Sequence, residues 1–238
     1  MRRYRFLLAA FVFEGLLSLA AVLIGWLVGI SPWYSTQAES LGFVALSRDL
    51  LWGLAATAPL VAVLLLEDYP LWRALTDLKD QVSGLLHRLL CGATYTELFI
   101  LALLAGLGEE LLFRGLLQTG LSYLLPAPIA VVGSLVLASV IFGACHYLSH
   151  TYFVLATLAG FYFGLVMLIS GSILPPIIAH ALYDFFALVY LLHDHEAHHR
   201  RHHHHHHDFD EPEAEEEPEP NGETEAAAMP EQQLESNE

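Results

Sequence analysis

The chain has 238 residues, 55% of them hydrophobic and 15% charged. Long uncharged stretches alternate with short polar breaks, a pattern that points away from a soluble globular domain and toward a polytopic membrane protein. The net charge of −16 is mostly one tail: from Asp194 onward fifteen Asp and Glu stand against two Arg, a balance of −13. Two cysteines in separate segments give no disulfide framework, and Cys145, inside an apolar run, reads as a small core residue.

The first predicted element is the apolar run 6–30. Its start, "MRRYRF", is basic like that of a signal peptide, but about 25 apolar residues exceed a signal h-region, so it reads as a retained signal-anchor span. Further spans are expected at 43–66, 96–121, 128–148, 152–169 and 173–192, making six helices and no strands. Between the second and third, "YPLWRALTDLKDQVSGLLHRLL" places Leu71, Leu75, Leu78, Val82, Leu85 and Leu89 at helical spacing among charges. That is an amphipathic helix at the membrane interface, tucked against the bundle or gating a substrate.

Basic residues orient the spans. Arg2, Arg3, Arg5, Arg73, Lys79, Arg88, Arg200 and Arg201 fall on one side if both termini are cytoplasmic, leaving only Arg48 outside and Arg114 within a span. The expectation is an integral protein of the plasma (inner) membrane, a membrane domain over 1–192 with its motif-bearing core at 96–192. Residues 193–238 come after it, His-rich and then Glu- and Pro-rich. They lack the apolar surface to offset ordering entropy and read as a disordered cytoplasmic tail able to bind divalent metal. His202 to His207 stand inside a longer His-rich run and read as natural low complexity. Nothing suggests a nucleic-acid partner.

Few ionisable residues fall within the spans: Glu14, Glu97 near a boundary, Glu109, Glu110, Arg114, His146, His180 and Asp184. A charge at bilayer depth costs several kcal/mol on insertion scales, so such groups face a bundle interior and mark function. Glu110 and Arg114, and likewise His180 and Asp184, are i and i+4 and share helix faces. Taken alone, Glu110–Arg114 is as readily a packing ion pair, and a lone membrane histidine is more often an interhelical hydrogen bonder than a catalyst. Glu14 stands apart and has no assigned role. The cluster as a whole suits hydrolysis, because a carboxylate with a histidine can hold and deprotonate a water. Ser134 and Ser139 lack a Gly-x-Ser-x-Gly elbow, so water is the better nucleophile. The run boundaries place His146 nearer the cytoplasm than Glu109, which requires a longer fourth helix or a tilted cavity.

"EELLFR", "FGACH" and "HALYD" resemble, in order and on separate hydrophobic helices, the Glu-Glu-x-x-x-Arg, Phe-x-x-x-His and His-x-x-x-Asn/Asp motifs of the CAAX protease and bacteriocin-processing family of intramembrane proteases. The resemblance implies a helical membrane endopeptidase acting on a membrane-associated protein or peptide, prenylated or leader-like. It implies that Glu109 and His146 activate water, that Glu110 orients with Arg114, and that His180 and Asp184 stabilise the oxyanion. Asp184 departs from the Asn form, and donates a hydrogen bond only when protonated. It otherwise orients His180, or joins Glu109, His146 and His180 as a metal ligand set suited to zinc. The family is described both as metalloproteases and as glutamate-dependent proteases, and no His-Glu-x-x-His motif decides between them. Two rivals remain, a divalent-metal transporter and a catalytically silent membrane partner or immunity protein of the same family.

Overall fold

The computed structural model describes residues 2–33, 42–66 and 73–207. The elements in chain order are α1 (Arg2–Val28), α2 (Phe43–Leu66), α3 (Arg73–Leu90), α4 (Tyr95–Glu110), a π-helical segment (Leu111–Gln118), α5 (Thr119–Leu124), α6 (Ala130–Cys145), α7 (His150–Ser170) and α8 (Leu174–His207). No strand occurs among the described residues, as the apolar patterning predicts. The chain divides into two units, Met1–Arg200 and Arg201–Glu238, and the helical bundle belongs to the first.

Helices stand at all six expected apolar runs, and α2 has the predicted bounds. By length and composition four helices can cross a membrane, within Arg3–Val28, Phe43–Leu65, His150–Ser170 and Leu174–His193. A fifth crossing is added if Leu78–Leu90 and Tyr95–Leu124, bent by 115° at their junction, are taken as one span. The expected fourth span is the exception, since α6 has only 16 residues. The protein is an all-α integral membrane bundle, and among the described residues the count by this measure is four or five, against the six expected.

The predicted amphipathic helix is α3, and it is tucked against the bundle. Leu90 packs with Leu7 of α1, Leu98 of α4 and Leu192 of α8. The buried Lys79 donates from Nζ to the Tyr190 hydroxyl of α8 at 3.0 Å, and lies 4.7 Å from that ring's centroid. The turn into α4 is set by a capping box: Glu97 N–H donates to Thr94 Oγ1 at 3.2 Å, while Thr94 N–H donates to Glu97 Oε2 at 2.8 Å. Glu97 is thereby spent on the helix start and lies outside the polar cluster.

Two further differences arise from local chemistry. α8 does not stop at Leu192 but runs through the histidine tract to His207. The histidine side chains from 194 on, and all of 208–238, lie outside the described residues, with the expectations of disorder and metal binding placed on them. Cys145 is exposed rather than a core residue, because it closes α6 on that helix's outer face.

Candidate active site

The site is built on the rod formed by α4, the π segment and α5. Glu110 ends the α-helical part, and the π segment carries Arg114. One wider turn here sends the Thr119 backbone N–H, and its hydroxyl at 3.0 Å, back to the Arg114 carbonyl. π-Helical turns inside α-helices are frequent at functional sites. Gly115 belongs to the same turn, and a Cβ there would run into the Pro32 backbone just after α1.

The remaining elements close on this rod through small residues. Gly106 faces α8 so closely that an added Cβ would lie 2.8 Å from the Ala181 nitrogen and 3.0 Å from the Ile177 carbonyl oxygen. This apposition delivers His180 and Asp184. α8 itself begins with Pro175 and Pro176 in its first turn, where a missing N–H costs nothing. α7 ends at Gly171 in the left-handed conformation, φ 70°, a position suited to glycine.

α6 settles the question of depth. Its first residue, Ala130, comes after a five-residue loop from Leu124 at the rod's end. α6 then runs back beside the rod for fifteen residues to Cys145, as far as Leu124 lies from Glu109. Equal rise along the two helices brings His146, just past the end of α6, level with Glu109. The fourth helix is therefore shorter than expected, not longer.

All six predicted residues meet there, in two tiers. In the inner tier Arg114 Nη1 lies 3.0 Å from Glu110 Oε1, with side chains 1% and 0% exposed. The approach is off the N–H axis, an ion pair rather than an aligned hydrogen bond. Arg114 Nη2 donates to the Gly160 carbonyl of α7 at 2.9 Å. The guanidinium also sits 4.3 Å from the Phe142 ring and 5.5 Å from Phe163, which favours a desolvated cation. Glu110 Oε1 accepts a second contact, 2.8 Å from His180 Nδ1. Because the carboxylate is ion-paired, Nδ1 carries the proton, and His180 Nε2 is turned toward the outer tier. Phe163 stacks on His180 at 4.8 Å and 9°, holding the ring plane.

In the outer tier Glu109 Oε2 lies 3.4 Å from His146 Nε2 and 3.9 Å from His180 Nε2. His146 Nδ1 is 2.8 Å from the Phe142 carbonyl, which can only accept, so that nitrogen is protonated. Its Nε2 and the Glu109 oxygen are then both acceptors unless a proton lies between them, the arrangement of an acid–base pair. Glu109 Oε2 is buried yet accepts no hydrogen bond within the protein. Asp184 Oδ2 stands 3.4 Å from His180 Nε2 and is 31% exposed, the most open of the set. Ser134 and Ser139 donate to their own helix carbonyls at 3.0 and 2.6 Å, so neither hydroxyl is activated.

Both histidines make the second contact typical of metal-bound imidazoles, one to a carbonyl and one to a carboxylate. Nevertheless, among the described residues no group of three or more His, Cys, Asp or Glu converges well enough to hold a metal ion.

Two participants give little or no sign in the sequence. Phe163 is one aromatic residue among many in an apolar helix. Glu14 stands out as a lone carboxyl in a span, but only the packing of α1 brings it into the field of Glu109, His146, His180 and Asp184.

A family model described as Type II CAAX prenyl endopeptidase Rce1-like matches residues 92–186, a stretch that holds Glu109, Glu110, Arg114, His146, His180 and Asp184. Searches of curated proteins and of solved structures find no match. Residues 92–186, within an integral membrane helical bundle, are similar to the type II CAAX prenyl endopeptidase Rce1-like family.

Proposed function

We propose that the protein is an intramembrane endopeptidase in which Glu109 and His146 activate a water. The observation that carries this reading is Glu109 Oε2, buried, without a hydrogen bond, and flanked at 3.4 and 3.9 Å by two imidazole nitrogens whose partners are fixed behind them. Water bound between Glu109 and His146 gives its proton to that pair as its oxygen bonds to the substrate carbonyl carbon. His180, donating from Nδ1 to Glu110, presents Nε2 to the developing oxyanion as an imidazolium, and Asp184 orients that ring as a carboxylate. When the C–N bond breaks, the amine nitrogen keeps the bonding pair and takes up a proton from an acid of the site, which the proton taken from water restores. Arg114 neutralises Glu110 and keeps this scaffold in place. Each step uses the chain's own residues, and none passes through a metal.

The substrate class proposed is a membrane-associated protein or peptide, a prenylated C-terminal CAAX segment by resemblance or a leader peptide by alternative. Purified protein in detergent is incubated with a prenylated CAAX peptide, its unprenylated form and a hydrophobic leader peptide, and products are read by mass spectrometry. Cleavage of one class by the native protein, absent with Glu109→Gln, is the expected result. Equal cleavage by both proteins would reject the assignment. The inside placement of both termini rests on the basic residues, and a reporter fused after His207 that lies outside the cell would overturn it.

A further inference from the structure

α1 lies outside the matched segment 92–186, yet it packs directly on the catalytic turn. Leu7 and Ala21 are among its buried positions, 3% and 0% exposed. Glu14 lies midway, seven residues from each. Seven residues are nearly two helical turns, with a drift of about 20°, so Glu14 sits on the same bundle-facing stripe. Packing alone supplies no reason for a carboxyl at that point of an otherwise apolar stripe.

The contact is close. A Cβ on Gly108 would lie 2.7 Å from the Glu14 carbonyl oxygen and 3.3 Å from Leu17 Cβ and Ser18 Oγ, so only glycine lets α1 settle there. Gly108 immediately precedes Glu109. The charged and titratable groups in whose field Glu14 lies are Glu109 from α4, His146 at the end of α6, and His180 and Asp184 from α8. α3, which also packs on α1, does so around Leu7, two turns away. Within this setting Glu14 Oε2 is buried and makes no hydrogen bond. A desolvated carboxyl oxygen beside other carboxylates is best accommodated when it shares in a proton, as paired carboxyls do.

From this arrangement we infer that Glu14 is a further residue of the hydrolytic site, the carboxyl that holds the proton delivered to the departing amine. The inference rests on the endopeptidase reading and adds an acid to its base. Water's O–H bond breaks, its oxygen bonds to the carbonyl carbon, and its proton goes to Glu109. As the C–N bond breaks, the amine nitrogen keeps the bonding pair and takes the proton from Glu14. The proton on Glu109 then passes to Glu14, and both carboxyls return to their starting states.

The test combines kinetics with a readout that needs no activity. Glu14→Gln keeps shape and hydrogen bonding but carries no exchangeable acid proton, and Glu14→Asp keeps the acid. Glu14→Gln should lower kcat at least tenfold with KM within about threefold, in line with the lower range of general-acid contributions. Thermal midpoint in detergent should be unchanged, and Glu14→Asp should recover most of the rate. Infrared spectroscopy of the native protein should show a protonated-carboxyl C=O band that Glu14→Gln removes and Glu109→Gln retains. A Glu14→Gln protein with native kcat, or one whose infrared band is intact, overturns the inference. Failure of the native protein to cleave any peptide would instead remove the endopeptidase reading, and the infrared band would still report whether Glu14 holds a proton.

Discussion

Glu109 and Glu110 are neighbours in sequence and opposites in setting. Glu110 is fully buried, paired with Arg114 at 3.0 Å and with His180 at 2.8 Å. Glu109 is partly open and meets two imidazole nitrogens at longer range, while each of the two carboxylates leaves its Oε2 without a hydrogen bond. A carboxylate neutralised by a guanidinium holds other groups in place, whereas one that faces imidazoles can take up a proton. The inner tier is scaffold and the outer tier is chemistry, although both come from one "EE" dipeptide.

Substitutions can separate the two tiers. The largest effect on rate is expected for Glu109→Gln, which removes proton uptake but keeps size. Peptide cleavage should fall by about 10²–10⁴-fold, with the thermal midpoint unaltered. His146→Ala should resemble it, and His180→Ala should lose as much, since it alone touches both tiers.

Arg114→Ala should behave in the opposite sense. It leaves Glu110 buried and unpaired, a change that costs roughly 3–5 kcal/mol, so a lower unfolding midpoint in detergent must accompany lost activity. A variant that is inactive yet thermally native would move Arg114 from scaffold to chemistry and erase the distinction between the tiers.

Gly106→Ala probes the joint between tiers without touching a charge. Its Cβ would meet backbone atoms of α8 at 2.8 and 3.0 Å, so α8 must shift and carry His180 and Asp184 with it. An intermediate result is expected: both activity and thermal midpoint reduced, each less than in the charge variants. Native behaviour would mean that the α4–α8 spacing is not needed.

Asp184→Asn is expected to be milder. At 3.4 Å from His180 Nε2, Asp184 is placed as an anion beside the imidazolium rather than as a donor, and losing that charge is expected to lower the rate about tenfold, or about 1.4 kcal/mol. Full activity in Asp184→Asn would restore the donor role that the Asn-bearing form of the motif implies. The smallest effect, none on cleavage by the purified protein, is expected for removal of 208–238, which contains no residue of either tier.

Much of the fold and site was legible in the chain itself. Uninterrupted apolar runs determined the all-α membrane class, because a backbone in lipid must satisfy its own hydrogen bonds and a helix does so locally. The cost of charge at that depth likewise singled out eight residues, Glu109, Glu110, Arg114, His146, His180 and Asp184 among them, whatever the helix arrangement. Only the tertiary structure decided the relations between helices. The short α6 brought His146 level with Glu109, and the π turn at Leu111–Gln118 set how Arg114 meets Glu110. Packing on Gly108 brought Glu14 from a distant span to the site. Such relations depend on where side chains of separate helices interlock, and no periodicity along one helix encodes the partner it meets.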